Sequence, residues 1–207
     1  MWSENESNGQ HSFIADARRE QIKRAAMETI AEVGFGHASL ARIARRAGIS
    51  KGVISYHFAG KNELMDKLVM EFYVAGARYM IPKVESETTA RGKLRAYLES
   101  NIDYIAENRT GVAAVSDVLL NLRDDDGNLK FLADDEGHRK MIDSVADIFR
   151  EGQASGEFRD FDPVVKALLL RSSIDLVARA FTDDPNADLE HYKRELISHF
   201  HQATRRE

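Results

Sequence analysis

The chain has 207 residues, 43% hydrophobic and 30% charged, with a formal net charge of −5; that composition suits a folded domain with a sizeable core and excludes collagen, global disorder and a membrane-spanning architecture. It contains no Cys, so disulfides, thiolate metal sites and thiol redox chemistry are all excluded. Three Pro and 13 Gly leave room for long uninterrupted elements, and the expectation is an all-α fold.

The first segment, MWSENESNGQHS, is polar and has no apolar stretch of the kind a leader peptide needs; residues 1–15 are expected to form a disordered arm. Asp16 to Val33 then carries Ile22, Ala25, Ala26, Ile30 and Val33 at spacings of three and four and stops at Gly34-Phe35-Gly36. Ser39 opens a second helix with Leu40, Ile43, Ala44 and Ala47, ended by Gly48, and Ser50 caps a third that runs to about Phe58. A long helix follows from Lys61 to about Met80, closed by Pro82. Further helices are predicted over Thr89–Asn108, Gly111–Leu122, Asp134–Ala154, Pro163–Thr182 and Asp188–Arg206, with a polar loop at Arg123–Asn128. The organisation expected is an arm (1–15), a three-helix domain (16–60) and a larger helical domain (61–207).

Charge is unevenly distributed. Residues 1–80 hold 11 basic and 9 acidic side chains, residues 81–207 hold 18 and 25, and Asp16 to Lys61 alone holds nine and four. A locally positive segment on an acidic chain places any polyanion-binding surface at the N-terminal end.

Within that segment, LARIARRAGISKGVISYHF has the spacing of a helix-turn-helix. Ala44 is small enough for two helices to approach, Gly48 can take the left-handed turn conformation, and Ile54 packs the second helix on the first. With Ile54 and Phe58 inward, helical periodicity leaves Lys51, Gly52, Val53, Ser55, Tyr56 and His57 for a DNA duplex. Lys51, Val53 and Ser55 would read bases, Gly52 would allow close backbone approach, and Tyr56, His57 and Lys61 would hold phosphates. Ser39, Arg42 and Ser50 complete the expected DNA-binding set.

Residues 18–64 resemble the DNA-binding region of the TetR family of transcriptional regulators. The resemblance rests on several parts in order: the first helix with its Ala25-Ala26 pair, the Gly34-Phe35 turn, Ser39, Ile43-Ala44, Ala47-Gly48-Ile49-Ser50, and Tyr56-His57-Phe58 followed by Lys61 and Leu64. It implies a homodimeric one-component regulator that binds a pseudo-palindromic operator and responds to a small effector, with Ser39, Tyr56, His57 and Lys61 at phosphate-holding positions and Lys51 to Ser55 in the base-reading stretch. The sequence departs from the family's pattern at Ser55, where Tyr is frequent, and at Ala59-Gly60, where Pro-Ser is frequent.

In the C-terminal part, the Pro163 helix carries two apolar stripes, Ala167, Leu170, Ile174, Val177 and Phe181 on one side and Val165, Leu169, Leu176 and Ala180 on another. One stripe serves the chain's own core and one a partner; Leu170, Ile174, Val177 and Phe181, with Tyr192, Leu196 and His199 of the last helix, are the expected dimer contacts. Phe72, Tyr79, Tyr97, Tyr104, Asp117, Met141 and Phe149 are expected to line an effector cavity suited to a lipophilic compound, with the acids Glu71, Glu99, Asp103 and Asp117 able to tolerate a cationic aromatic one.

No cofactor or metal is expected. Aligning Gly127 of Asp124-Asp125-Asp126-Gly127 with the sixth position of a calcium loop puts Leu122 and Ala133 where ligand oxygens are required, and His199 and His201 fall on different helix faces. No phosphate-binding loop, nucleophile elbow or zinc-protease motif occurs. The expected function is therefore a cytoplasmic, dimeric DNA-binding repressor released by a small lipophilic effector. The competing readings are a helical enzyme acting on a small lipophile in the same cavity, and a dimeric adaptor that no longer binds DNA.

Overall fold

The computed structural model describes residues 4–131, 136–184 and 186–206, with side chains described from residue 13 onward. Helices α1 (Glu4–Val33), α2 (Leu40–Ala47), α3 (Lys51–His57), α4 (Lys61–Glu85), α5 (Ala90–Glu107), α6 (Arg109–Asn121), α7 (Glu136–Ala154), α8 (Pro163–Asp183) and α9 (Leu189–Thr204) succeed one another, with a single 3-10 turn at Phe35–His37 after α1. Among the described residues the only extended pairings are two isolated bridges, Arg123 with Leu129 and Phe158 with Arg205.

The ends of these helices follow from cap chemistry. Ser39, Ser50, Thr89, Asp162 and Asp188 each present a side-chain oxygen that accepts an amide N–H of the first turn, satisfying donors that a helix N-terminus otherwise leaves without a partner. Pro163 stands at the first position of α8, where its missing N–H costs nothing. Two boundaries differ from expectation. The first helix reaches back to Glu4 rather than Asp16, so residues 4–15 continue the helix where an arm was expected. In α4, Pro82 lies inside the helix, because one missing N–H removes one bond while Ser86 N still donates to Pro82 O at 3.1 Å and Glu87 N to Val84 O at 3.2 Å. The acidic run 124–126 is a turn: the Asp124 carboxylate accepts the amides of Asp126 and Asn128 at 3.0 and 2.9 Å, with Gly127 at φ 83°.

Two apolar cores share the load. One joins α1, α2, α3, the first half of α4 and one face of α6 through Ile22, Ile30, Ile43, Ile54, Leu64, Leu68 and Val118. The other joins α5, α7, α8 and α9 through Leu98, Ile102, Val145, Phe149, Leu170 and Phe200. The boundary expected at residues 60 and 61 therefore falls where α4 enters the first core, and Phe72 touches both clusters. Close approach of α6 to α4 depends on Gly111, where an added Cβ would lie 2.8 Å from the Phe72 ring.

Within α8 the burial pattern decides between the two stripes. Leu170, Ile174, Val177 and Phe181 are buried in the chain's own core, which corrects their expected place in a dimer contact. Val165, Leu168, Leu169 and Leu176 of α8, with Tyr192 of α9, carry the exposed apolar surface instead; Leu176 is 68% exposed. The sequence pattern could not choose because both stripes are apolar and equally periodic. Of the remaining expected contacts, Leu196 is half-buried against the second core and His199 is exposed.

Candidate nucleic-acid interface

Gly48 makes the turn. It closes α2 in the left-handed conformation, φ 66° and ψ 31°, and Ile49 N–H returns to Ala44 O at 3.0 Å, the closure by which a helix ends on Gly. Gln21 of α1 adds a clamp from outside, its side-chain amide donating to Ala47 O at 2.7 Å. With α2 stopped there, Ser50 starts α3 at once, its Oγ accepting Val53 N–H at 3.3 Å. Ile54 is fully buried and Phe58 nearly so, while Ile43, Ala44 and Ala47 form the floor beneath them.

This anchoring fixes what α3 shows to solvent. Lys51, Gly52, Ser55 and Tyr56 are exposed, Tyr56 to 85%, and Val53, His57 and Lys61 are half-buried. Ser39, Arg42 and Ser50 are exposed at the N-terminal ends of α2 and α3, on the same unit. Both serines accept an amide through Oγ, so each keeps its own hydroxyl proton to donate. An added Cβ at Gly52 would meet nothing closer than Ser50 Oγ at 3.6 Å; the backbone there is open to outside approach.

Two features of the set were not visible in the sequence. Lys61 does not reach outward: its ammonium donates to Phe35 O and sits 3.9 Å from the Phe35 ring centroid. Burial pushes its pKa down, partly offset by Asp117. In its place Arg18 and Arg19 of α1 stand near His57, and burial followed by the charges of Arg19 and Arg18 lowers the His57 pKa. Their contribution depends on how α1 is turned relative to α3, which no spacing within either helix encodes.

The interface is tied to α4 and α6 by three contacts, two of them on the 3-10 turn. Asp117 of α6 accepts Phe35 N–H at 2.5 Å, Lys61 holds Phe35 O, and buried Lys23 of α1 pairs with Glu71 of α4. Asp117 is thus a bridge to the turn. The other expected effector residues lie on α4, α5 and α7. Phe72, Tyr79 and Tyr104 pack as neighbouring rings between α4 and α5, Tyr104 donating to Phe72 O at 3.1 Å. Phe149 is fully buried against Phe158 and Phe161, Tyr97 is buried on α5, and Met141 is half-buried on α7. The acids considered for a cationic ligand are engaged elsewhere: Glu71 with Lys23, Glu99 with Arg95, Asp103 with Lys193. Among the described residues no group of three or more His, Asp or Glu is placed to hold a metal ion, and no helix is long and apolar enough to cross a membrane.

Residues 22–68 match the family model of the bacterial regulatory proteins of the tetR family, and that span runs from the first buried Ile of α1 through the helix-turn-helix into α4. These residues are a TetR-family helix-turn-helix domain. Relatives agree over the same kind of extent. The chain is 39% identical over 97 residues to the HTH-type transcriptional regulator BetI 1 of Chromohalobacter salexigens, covering 45% of this chain and 46% of that protein. It is 34% identical over 103 residues to BetI of Stenotrophomonas maltophilia, covering 48% and 51%. The chain thus spans about half the length of the curated relatives it matches. Beyond the TetR-family domain the fold itself is shared: the fatty acid degradation regulator FadR of Bacillus halodurans superposes with a TM-score of 0.75 at 20% identity over 87% of this chain and 93% of that one. AibR, solved with isovaleryl coenzyme A and operator DNA, superposes with a TM-score of 0.73 at 18% identity over 87% and 96%.

Proposed function

We propose that the protein is a homodimeric one-component transcriptional repressor that binds a pseudo-palindromic operator and is released by a small lipophilic effector. The observation that carries the reading is the division of α3: Ile54 and Phe58 fasten it to the domain, and Lys51, Gly52, Ser55 and Tyr56 stand clear of it. A short exposed helix anchored this way fits a major groove, with its N-terminal residues on base edges and the flanking hydroxyls on phosphates. The BetI relatives are named transcriptional regulators, and AibR was solved on operator DNA with an acyl coenzyme A. Both support a DNA reader with a ligand-responsive body over an enzyme. Its place of action is the cytoplasm, where the operator is.

The dimer in this reading forms through Val165, Leu168, Leu169 and Leu176 of α8 and Tyr192 of α9, which leave an apolar face that a second copy covers. Two-fold symmetry sets the recognition helices about 34–36 Å apart, or a multiple of that, to meet successive major grooves. Helix α4 begins at the helix-turn-helix and ends beside α5, and Phe35 is gripped from both α4 and α6, so a shift in the second core moves α3. Effector binding selects the dimer with the wrong spacing. The effector expected here is neutral or anionic, because the acids on the effector side are already paired.

Mobility shift with a selected operator tests the reading. Lys51→Ala and Tyr56→Phe each weaken operator binding while leaving helicity and melting unchanged; for Lys51→Ala the loss is about tenfold or more if it contacts a base edge. A dimer that binds the operator equally well with both residues replaced would contradict it.

A further inference from the structure

Among the described residues, Arg171 is the buried side chain whose charge the fold does not explain. It projects from α8 into the second core with 7% exposure. A guanidinium has five donors in a planar fork. Here Nη1 donates to the Tyr97 hydroxyl at 3.2 Å and to Asn101 Oδ1 at 3.0 Å, both on α5 and both neutral. Nη2 donates to Asp175 Oδ1 at 3.1 Å, and Nε has no partner among the described residues. The only carboxylate given to this buried cation is therefore Asp175, whose own side chain is 64% exposed.

Such an arrangement is costly as a purely structural device, since a buried charge needs close and complete pairing. Its open donors have a definite geometry. Nε and Nη2 form one edge of the fork, the edge that takes a carboxylate bidentately, and Asp175 occupies half of it with one oxygen. Asp175, largely in water, returns to solvent when displaced, and the incoming carboxylate takes over the pairing that the buried guanidinium requires. Burial opposes the charged guanidinium, and Tyr97, Asp175 and the nearby Tyr73 of α4 favour it. Tyr73 is partly exposed, and Met70 and Val74 on the same face of α4 add exposed apolar surface. Helices α4 and α8 both pack on α5 but scarcely on each other.

We propose that Arg171 anchors the carboxylate of an organic acid with an apolar tail, held on its Nε and Nη2 between α4, α5 and α8, with Asp175 as the internal occupant the ligand displaces. The proposal rests on reading the C-terminal body as effector-binding and names the class of effector. It also connects the site to the DNA-binding domain, because α4 supplies one wall of the site and carries the helix-turn-helix at its other end.

The test uses the full-length protein, its selected operator, and a ladder of acetate, hexanoate and octanoate, with methyl octanoate and octylamine as controls. Octanoate raises the melting temperature and releases the operator, whereas the ester and the amine do neither at the same concentration. Arg171→Gln weakens octanoate binding by about tenfold or more, the loss of a charge-assisted pair. Since that variant perturbs a core, Asp175→Ala provides the independent arm: it removes an exposed carboxylate, lowers the melting temperature of the free protein, and tightens octanoate binding several-fold by freeing the edge. A merely structural role for the Arg171–Asp175 pair would make Asp175→Ala less stable and leave octanoate affinity unchanged, which overturns the proposal. Equal binding of octanoate and its methyl ester, or operator binding that no acid of the ladder affects, overturns it while leaving the regulator reading intact. Absence of operator binding in every state instead defeats the regulator reading.

Discussion

Removing the Asp117 carboxylate gives a sharp test of how the DNA-binding domain is attached. Asp117 Oδ2 accepts Phe35 N–H at 2.5 Å across 82 positions of sequence, and Oδ1 accepts the Asn121 side chain at 2.7 Å. Gly34, at φ 78°, presents the turn so closely that an added Cβ would lie 3.5 Å from the same carboxylate oxygen. In Asp117→Ala the Phe35 amide loses its acceptor. A hydrogen bond to a charged group is worth about 1.5–3 kcal/mol, and a half-buried donor left without one recovers only part of that from water. The expected loss is thus about 1.5–3 kcal/mol, or roughly 3–12 °C in melting temperature for a chain of this size. Asp117→Asn retains an oxygen acceptor and should lose about half as much, whereas Asn121→Ala removes exposed bonds to Asp117 Oδ1 and O, leaves the Phe35 bond in place, and should lose about 1 kcal/mol or less. Urea unfolding at one fixed protein concentration reads all three, since the proposed dimerisation would make the midpoint concentration-dependent. Asp117→Ala unfolding within about 0.5 kcal/mol of the unsubstituted protein would refute the reasoning that this bond fastens the turn.

Gly48→Ala costs about 1–2 kcal/mol from backbone strain alone, because the residue sits at φ 66° with open space around it; Gly48→Asn should cost less, and calorimetric melting separates them. Leu176→Glu leaves the subunit fold unchanged but yields monomers in light scattering at micromolar concentration, since a charge would enter the face left exposed on α8; a persistent dimer would move the interface elsewhere. His57 is held below its ordinary value by burial and by Arg19 and Arg18, so the unfolded chain binds its proton more readily. It therefore withdraws stability as pH falls below about 6.5. A phosphate beside it favours the cation instead, so operator affinity should strengthen between about pH 7.5 and 6 and do so less in His57→Gln; identical pH dependence of binding in the two proteins would remove His57 from the interface.

Most of the architecture was legible in the sequence because its signals are local. Ser39, Ser50, Gly48 and Pro163 mark helix ends by their own chemistry, and apolar positions at spacings of three and four mark the faces. What could not be read depends on contacts between helices. Lys61 has the length and charge of a phosphate ligand, yet it turns inward because the Phe35 carbonyl and ring lie within its reach. The α8 stripes carry equal apolar content, and only the docking of α5 and α7 against Leu170 and Ile174 distinguishes inside from outside. Arg171 belongs to the same lesson: a charged residue between two stripes reads as solvated, and its partners Tyr97 and Asn101 lie at sequence separations of 74 and 70. Of the expected effector set, Phe149 and Tyr97 are buried in the second core, as aromatic residues in a helical body mostly are.

The most direct test of the central claim is the selection of binding sites from random DNA by the purified full-length protein. The account predicts enrichment of a pseudo-palindrome whose half-sites lie about 10–10.5 base pairs apart, centre to centre, or a multiple of that, and loss of that enrichment in Lys51→Ala. A pool with no enriched sequence, or an enriched sequence that Lys51→Ala selects equally well, would contradict the assignment of α3 as the helix that reads DNA.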